Sequence, residues 1–115
     1  YKKHNFMTEY IIIITTTNSK ANAQLIASSL IEDKLAACVQ IIPEIQSTFK
    51  WENSITEEKE ILVLIKTTDT LMEDIKRKIK INHSYETPEL ISFPFNILSN
   101  GYKKWFDLSV GVNID

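Results

Sequence analysis

The sequence has a single cysteine, two glycines and three prolines among its 115 residues. A lone cysteine cannot form a disulfide within the chain, which fits a reducing compartment, so we expect a cytoplasmic protein. Glycine-rich loops that bind phosphate need several glycines close together, and this chain cannot supply them. The scarcity of glycine and proline also predicts few, short loops between regular elements.

Long apolar runs and a strong excess of one charge are missing as well. The longest apolar runs, Tyr10–Ile14 and Ile61–Ile65, are far shorter than the ~20 residues of a membrane-spanning helix. The net charge is −2 and both signs are mixed along the chain, which favours neither nucleic acid nor an anionic membrane as a partner. The basic run Lys76–Lys80 surrounds an apolar stripe and is typical of a solvated helix face. We therefore expect neither nucleic-acid binding nor membrane insertion.

The length predicts one domain with one hydrophobic core. Residues 1–6 are mostly polar and precede Met7, so we interpret them as a disordered or cloning-derived extension and give His4 no role. Residues 7–115 are then expected to form the single domain.

Apolar periodicity and β-branched runs predict the order β-α-β-β-α-β followed by a C-terminal helix. Asn18 or Ser19 is expected to cap the first helix, and Thr68 or Asp69 the second. This order is that of the ferredoxin-like α+β fold, an antiparallel four-stranded sheet of strand order 4-1-3-2 with helices on one face. The expected strands cover 10–17, 37–51 with a break at Pro43, 59–67 and 90–95, and the polar segment 52–58 forms the turn of a long hairpin.

The first and third strands are continuously apolar at their centres, whereas a sheet covered on one face should alternate apolar and polar residues. Their second face must therefore be covered too, and a neighbouring subunit is the expected cover. Each apolar residue buried in this way would contribute on the order of 1.5–3 kcal/mol. A charge in strand three, such as Val63→Asp, is expected to weaken assembly and folding together.

Several motifs together resemble the CutA divalent-cation-tolerance family over nearly the whole chain, from about Tyr10 to Leu108. They are Leu35–Pro43, Trp51–Glu52, Leu64–Thr68 and His83–Pro94, closing with Tyr102 and Trp105. The resemblance implies a ferredoxin-like protomer that assembles as a stable homotrimer, similar in architecture to PII signalling proteins. It also implies a link to copper and other divalent metals and, in animals, an association with membrane-anchored acetylcholinesterase. One departure is Ser84, since the family usually has proline after the loop histidine.

Cys38 and His83 are the candidate soft or borderline metal ligands of the domain, and the metal link implied by the resemblance favours this role. Glu60, at an acidic position shared with the family, is the preferred oxygen ligand, ahead of Glu86. The alternatives stay open: Cys38 as a core residue, His83 as a solvent-facing cap, and both glutamates as surface carboxylates.

A shared ion imposes a geometric condition on these candidates. With strands two and four on opposite edges and taken to run the same way, Cys38 and His83 lie at one end of the sheet, about 14 Å apart. This separation excludes a shared ion in one chain and predicts a site between subunits.

No catalytic group follows from the pattern, because the same separation excludes Cys38 as a nucleophile with His83 as its base. We therefore predict a protein that is not an enzyme. The favoured hypothesis is a homotrimer that binds copper or another divalent metal ion at subunit interfaces and contributes to metal tolerance. The alternative is a structural or signalling trimer that binds a protein partner, with incidental metal binding.

Overall fold

Four strands and three α-helices make up residues 8–111, which the computed structural model of the chain describes. The predicted extension 1–6 lies outside the described residues. In chain order the elements are β1 (Tyr10–Thr17), α1 (Lys20–Glu32), β2 (Cys38–Trp51), β3 (Ser54–Thr68), α2 (Met72–Asn82), β4 (Ile91–Phe95) and α3 (Asn100–Ser109), with a 3-10 turn, Asp69–Leu71, before α2. The ferredoxin-like α+β prediction is confirmed.

The strands form one antiparallel sheet in the order β2-β3-β1-β4. β1 lies between β3 and β4, and β2 pairs with the far side of β3. Because every neighbouring pair is antiparallel, β2 runs parallel to β1 and β4 runs opposite to both. The register of β2 and β3 shifts between Ile42 and Ile45, which confirms the predicted break at Pro43.

A serine side chain caps the N-terminus of two of the three α-helices within residues 8–111. Ser19 has extended backbone and its hydroxyl accepts the backbone N–H of Asn22, as expected of an N-cap. Ser99 does the same for α3. The predicted cap of α2 is wrong: the Thr68 hydroxyl bonds to the Thr70 hydroxyl instead, and the helix is entered through the 3-10 turn.

The main core lies between the helical layer and one face of the sheet. Alternate residues of β1 and β3 point to this helix-covered face and are almost completely buried, because strand side chains alternate between faces. They pack against the apolar stripes of α1 and α2; the core consists of Ile11, Ile13, Val63, Ile65, Ala23, Ile26, Leu30, Ala36, Ile75 and Ile79.

The opposite face, which we call the open face, is covered at one end by α3. Phe106 is fully buried there and meets the rings of Tyr10 and Phe95 at centroid distances of 5.2 and 6.0 Å. The Tyr10 hydroxyl donates to Asp107 Oδ1 at 2.8 Å and so fastens α3 to the sheet. The C-terminal helix is thus a partial cover for the second face, which the sequence analysis assigned wholly to a neighbouring subunit.

The rest of the open face keeps large apolar side chains in solvent. Ile91 and Phe93 pair with Ile14 and Ile12 of β1, and they are 52% and 43% exposed. Ile42 on the other edge is exposed as well. Large exposed apolar side chains on one face of a sheet are typical of an interaction surface.

The β2–β3 hairpin is longer than the rest of the sheet and tightly turned. Glu52 and Asn53 form the turn with φ of 48° and 69°, the left-handed pair of a two-residue hairpin. The predicted turn over 52–58 is therefore wrong, since β3 already begins at Ser54. Near the tip, Trp51 and Ile55 are 64% and 79% exposed.

Candidate functional site

His83 lies at the end of α2 and turns its ring towards β1. Its backbone N–H closes the helix on the Ile79 carbonyl at 2.7 Å, and its own backbone is extended. The ring is buried and its Nε2 lies 2.8 Å from the Thr16 carbonyl oxygen. β4 pairs with β1 only as far as Ile14. Beyond that point the His83 ring contacts the β1 backbone at Thr16.

Both ring nitrogens of His83 are used. Nδ1 accepts the backbone N–H of Tyr85 at 2.9 Å, while the Thr16 carbonyl can only accept. The ring is therefore neutral and carries its proton on Nε2. Burial lowers the pKa of His83, and the Thr16 carbonyl and the Glu60 charge oppose this in part. A neutral ring is what these contacts require.

Tyr85 connects His83 to Glu60. Its hydroxyl donates to Glu60 Oε2 at 2.8 Å, and its ring lies 5.0 Å from the imidazole, centroid to centroid. Burial raises the pKa of Tyr85, as do the hydrogen bond to Glu60 and the nearby carboxylates. The structure thus brings His83 and Glu60 into one cluster through a tyrosine.

This linking role of Tyr85 was not predicted from the sequence. The alternation of strand side chains does not predict it, because residues 84–87 form bends and not a strand.

Cys38 lies elsewhere. It is the first residue of β2, half-buried, and pairs with Lys66 of β3, which pairs with Ile12 of β1. On α3, burial and the nearby Cys38 charge raise the pKa of Tyr102. Cys38 therefore belongs to the end of the sheet that α3 covers.

The expectation that Cys38 and His83 share one end of the sheet is wrong. β2 and β4 run in opposite directions, so the start of β2 and the segment before β4 lie at opposite ends. Cys38 is level with Ile12, whereas His83 contacts Thr16, four residues further along β1. Four residues and two strand spacings place Cys38 about 17 Å from Thr16, the residue that the His83 ring contacts. The conclusion that one chain cannot bind an ion with both residues is unchanged, with a different reason.

Within residues 8–111, no three His, Cys, Asp or Glu side chains converge. The two that do meet, His83 and Glu60, are joined by Tyr85, and the only lone pair of the imidazole is taken by the Tyr85 N–H. His83 could coordinate an ion only if the Tyr85 N–H were displaced from Nδ1.

The sequence matches the CutA1 divalent ion tolerance protein family over residues 11–109. The chain belongs to this family. Divalent-cation tolerance protein CutA from Thermus thermophilus is 33% identical over 87% of this chain and 97% of its own length. The chloroplastic protein CutA of Arabidopsis thaliana is 37% identical over 83% of this chain, which spans about half (52%) of that relative's length.

Solved structures of CutA1 proteins agree with the fold. The divalent ion tolerance protein CutA1 from Ehrlichia chaffeensis has a TM-score of 0.84 at 29% identity, covering 92% of this chain and 99% of that one. The Thermus thermophilus protein gives 0.82 at 33% identity, covering 91% and 100%. In this CutA family member, no helix within residues 8–111 is long and apolar enough to cross a membrane.

Proposed function

We propose that this CutA family member is a homotrimer that contributes to tolerance of divalent cations, copper among them, in the cytoplasm and without enzymatic activity. The observation that carries the proposed self-association is the exposed apolar surface around Ile91 and Phe93 on the open face. The opposite face of the same sheet is buried beneath the helices. Membership of the family supports the tolerance role. The number of subunits rests on the family resemblance.

Metal ions are proposed to bind between subunits, with Cys38, His83 and Glu60 as ligands. Cys38 supplies a thiolate, which suits Cu(I), and Glu60 supplies an oxygen ligand. His83 joins them only when the Tyr85 N–H leaves Nδ1. The proposed role of such a site is to sequester the ion.

The second candidate is a structural or signalling trimer that binds a protein partner, with incidental metal binding. It is favoured by the hydrogen bonds of His83, which occupy both ring nitrogens.

The test is a competitive Cu(I) titration of chelator-stripped, reduced protein against a chromophoric probe, with light scattering on the same samples. The Cys38→Ala/His83→Ala double variant is compared with Gln40→Ala, which alters an exposed residue of the same strand and leaves all three candidate ligands in place.

We expect a trimer mass for all three proteins, and Cu(I) binding that only the double variant loses. Binding that the double variant retains would overturn the metal site and turn the search to protein partners. A monomer or dimer at micromolar concentration would overturn the trimer.

A further inference from the structure

The side chain of Asn22 bridges the two residues that flank His83. Its Nδ2 donates to the Asn82 carbonyl at 2.7 Å, and its Oδ1 accepts the Ser84 backbone N–H at 3.2 Å. Asn22 lies in the first turn of α1, where the Ser19 hydroxyl accepts its backbone N–H. The carboxamide is therefore anchored on a capped helix and reaches across to the end of α2.

The orientation of the carboxamide is determined by its surroundings. The Thr17 and Ser84 hydroxyls lie 3.0 and 3.3 Å from Oδ1, and they can donate to it together with the Ser84 N–H. The Asn82 carbonyl, one of the orphan acceptors at the end of α2, can only accept, so it selects the NH2 group. A planar group with a donor and an acceptor side by side satisfies both neighbours of His83 at once, as an adjacent strand would.

We infer that Asn22 is a positioning residue that holds the His83 ring between the Thr16 carbonyl and the Tyr85 N–H. With residues 82 and 84 both fixed to α1, the backbone at His83 has little freedom to turn the ring away from β1. Ser84 makes this possible because it has a backbone N–H to donate, which proline lacks. The Asn22 bridge supplies in this chain the restraint that a proline ring at position 84 would give.

The experiment reads the state of the ring directly in metal-free protein. Nitrogen-15 NMR of labelled histidine reports the tautomer, with His83 signals identified by their loss in His83→Gln, and hydrogen exchange reports the Tyr85 amide. In wild type we expect a single Nε2–H tautomer and a protected Tyr85 amide. In Asn22→Ala we expect mixed tautomers and about tenfold faster Tyr85 exchange, equivalent to about 1.4 kcal/mol, with unchanged far-UV circular dichroism.

Two controls separate positioning from general loosening. Gln24→Ala changes an exposed residue of the same helix, and Ser84→Ala keeps the N–H while removing the hydroxyl; both should retain the wild-type tautomer. In a Ser84→Pro background, Asn22→Ala should change the Tyr85 exchange rate less than in the Ser84 background. An Asn22→Ala spectrum and exchange rate equal to wild type, or matched by Gln24→Ala, would overturn the inference.

Any effect of the Asn22 bridge on ion binding rests on the proposed function. The test of the bridge itself does not. Tautomer and exchange are measured without metal, so a negative copper titration leaves the inference standing. Conversely, an unchanged His83 tautomer in Asn22→Ala would not affect the conclusion drawn from the copper titration.

Discussion

Phe93→Ala should weaken self-association while leaving the protomer folded. Phe93 belongs to β4 and pairs with Ile12 of β1; it lies on the open face and is not part of the core beneath the helices. At 43% exposure it offers a large apolar area for a second protomer to cover.

The size of the effect follows from that area. An aromatic side chain buries roughly 150–250 Å², so the exposed fraction amounts to about 85 Å². At about 25 cal/mol per Å² this is about 2 kcal/mol for each protomer. Three copies in a trimer lose about 6 kcal/mol, a factor of about 10⁴ in the dissociation constant. Since the concentration of half-dissociation varies as the square root of that constant, it should rise about 100-fold.

The assay is a dilution series followed by light scattering, with far-UV circular dichroism at each concentration. Ile81→Ala is the matched control, because Ile81 is even more exposed but lies on α2 in the helical layer. A Phe93→Ala protein that dissociates no more readily than Ile81→Ala would refute the assignment of the open face as the interface.

Three further outcomes follow from the protomer itself. Val63→Asp places a charge at a fully buried position beneath the helices and should unfold the protomer, at a cost of about 4–5 kcal/mol or more, visible as loss of circular dichroism at any concentration. Tyr10→Phe removes the donor to the buried Asp107 and should cost about 1–3 kcal/mol in urea unfolding, with Tyr102→Phe as the comparison. Burial lowers the pKa of His83 more than the Glu60 charge raises it, so the unfolded chain binds the proton more readily than the folded one. The free energy of unfolding should therefore fall as the pH drops below about 6.5. In His83→Gln this dependence on pH should be weaker.

The fold was predictable because strand and helix periods are local signals. The continuous apolar runs of β1 and β3 also predicted that both faces of the sheet need cover. The pattern could not show which residues face the helices and which face the open side of the sheet, because neighbouring residues in an apolar run are equally hydrophobic. Val63→Asp was expected to weaken assembly and folding together, yet Val63 faces the helices, whereas Leu62 and Leu64 share the open face.

The candidate site was predictable only in its parts. His83 and Glu60 were singled out from residue type and resemblance, and the structure places them together. The link through Tyr85, the Thr16 carbonyl and the Asn22 bridge depend on where β4 stops pairing and on how α1 and α2 pack. Those are contacts between residues 25, 67 and 60 positions apart, respectively, which no local pattern encodes.

The separation of Cys38 from His83 connects the interface to the metal proposal. Since one protomer cannot bring the two residues to one ion, any site that uses both exists only in the assembly, and its affinity must fall as the assembly dissociates. The proposed apolar contact at Phe93 needs no ion, so self-association should persist when the ligands are removed. Copper affinity that depends on protein concentration, beside association that does not depend on copper, is therefore the pattern that an inter-subunit site requires. Affinity independent of concentration would place the ion within a single protomer, where residues 8–111 bring no three such ligands together.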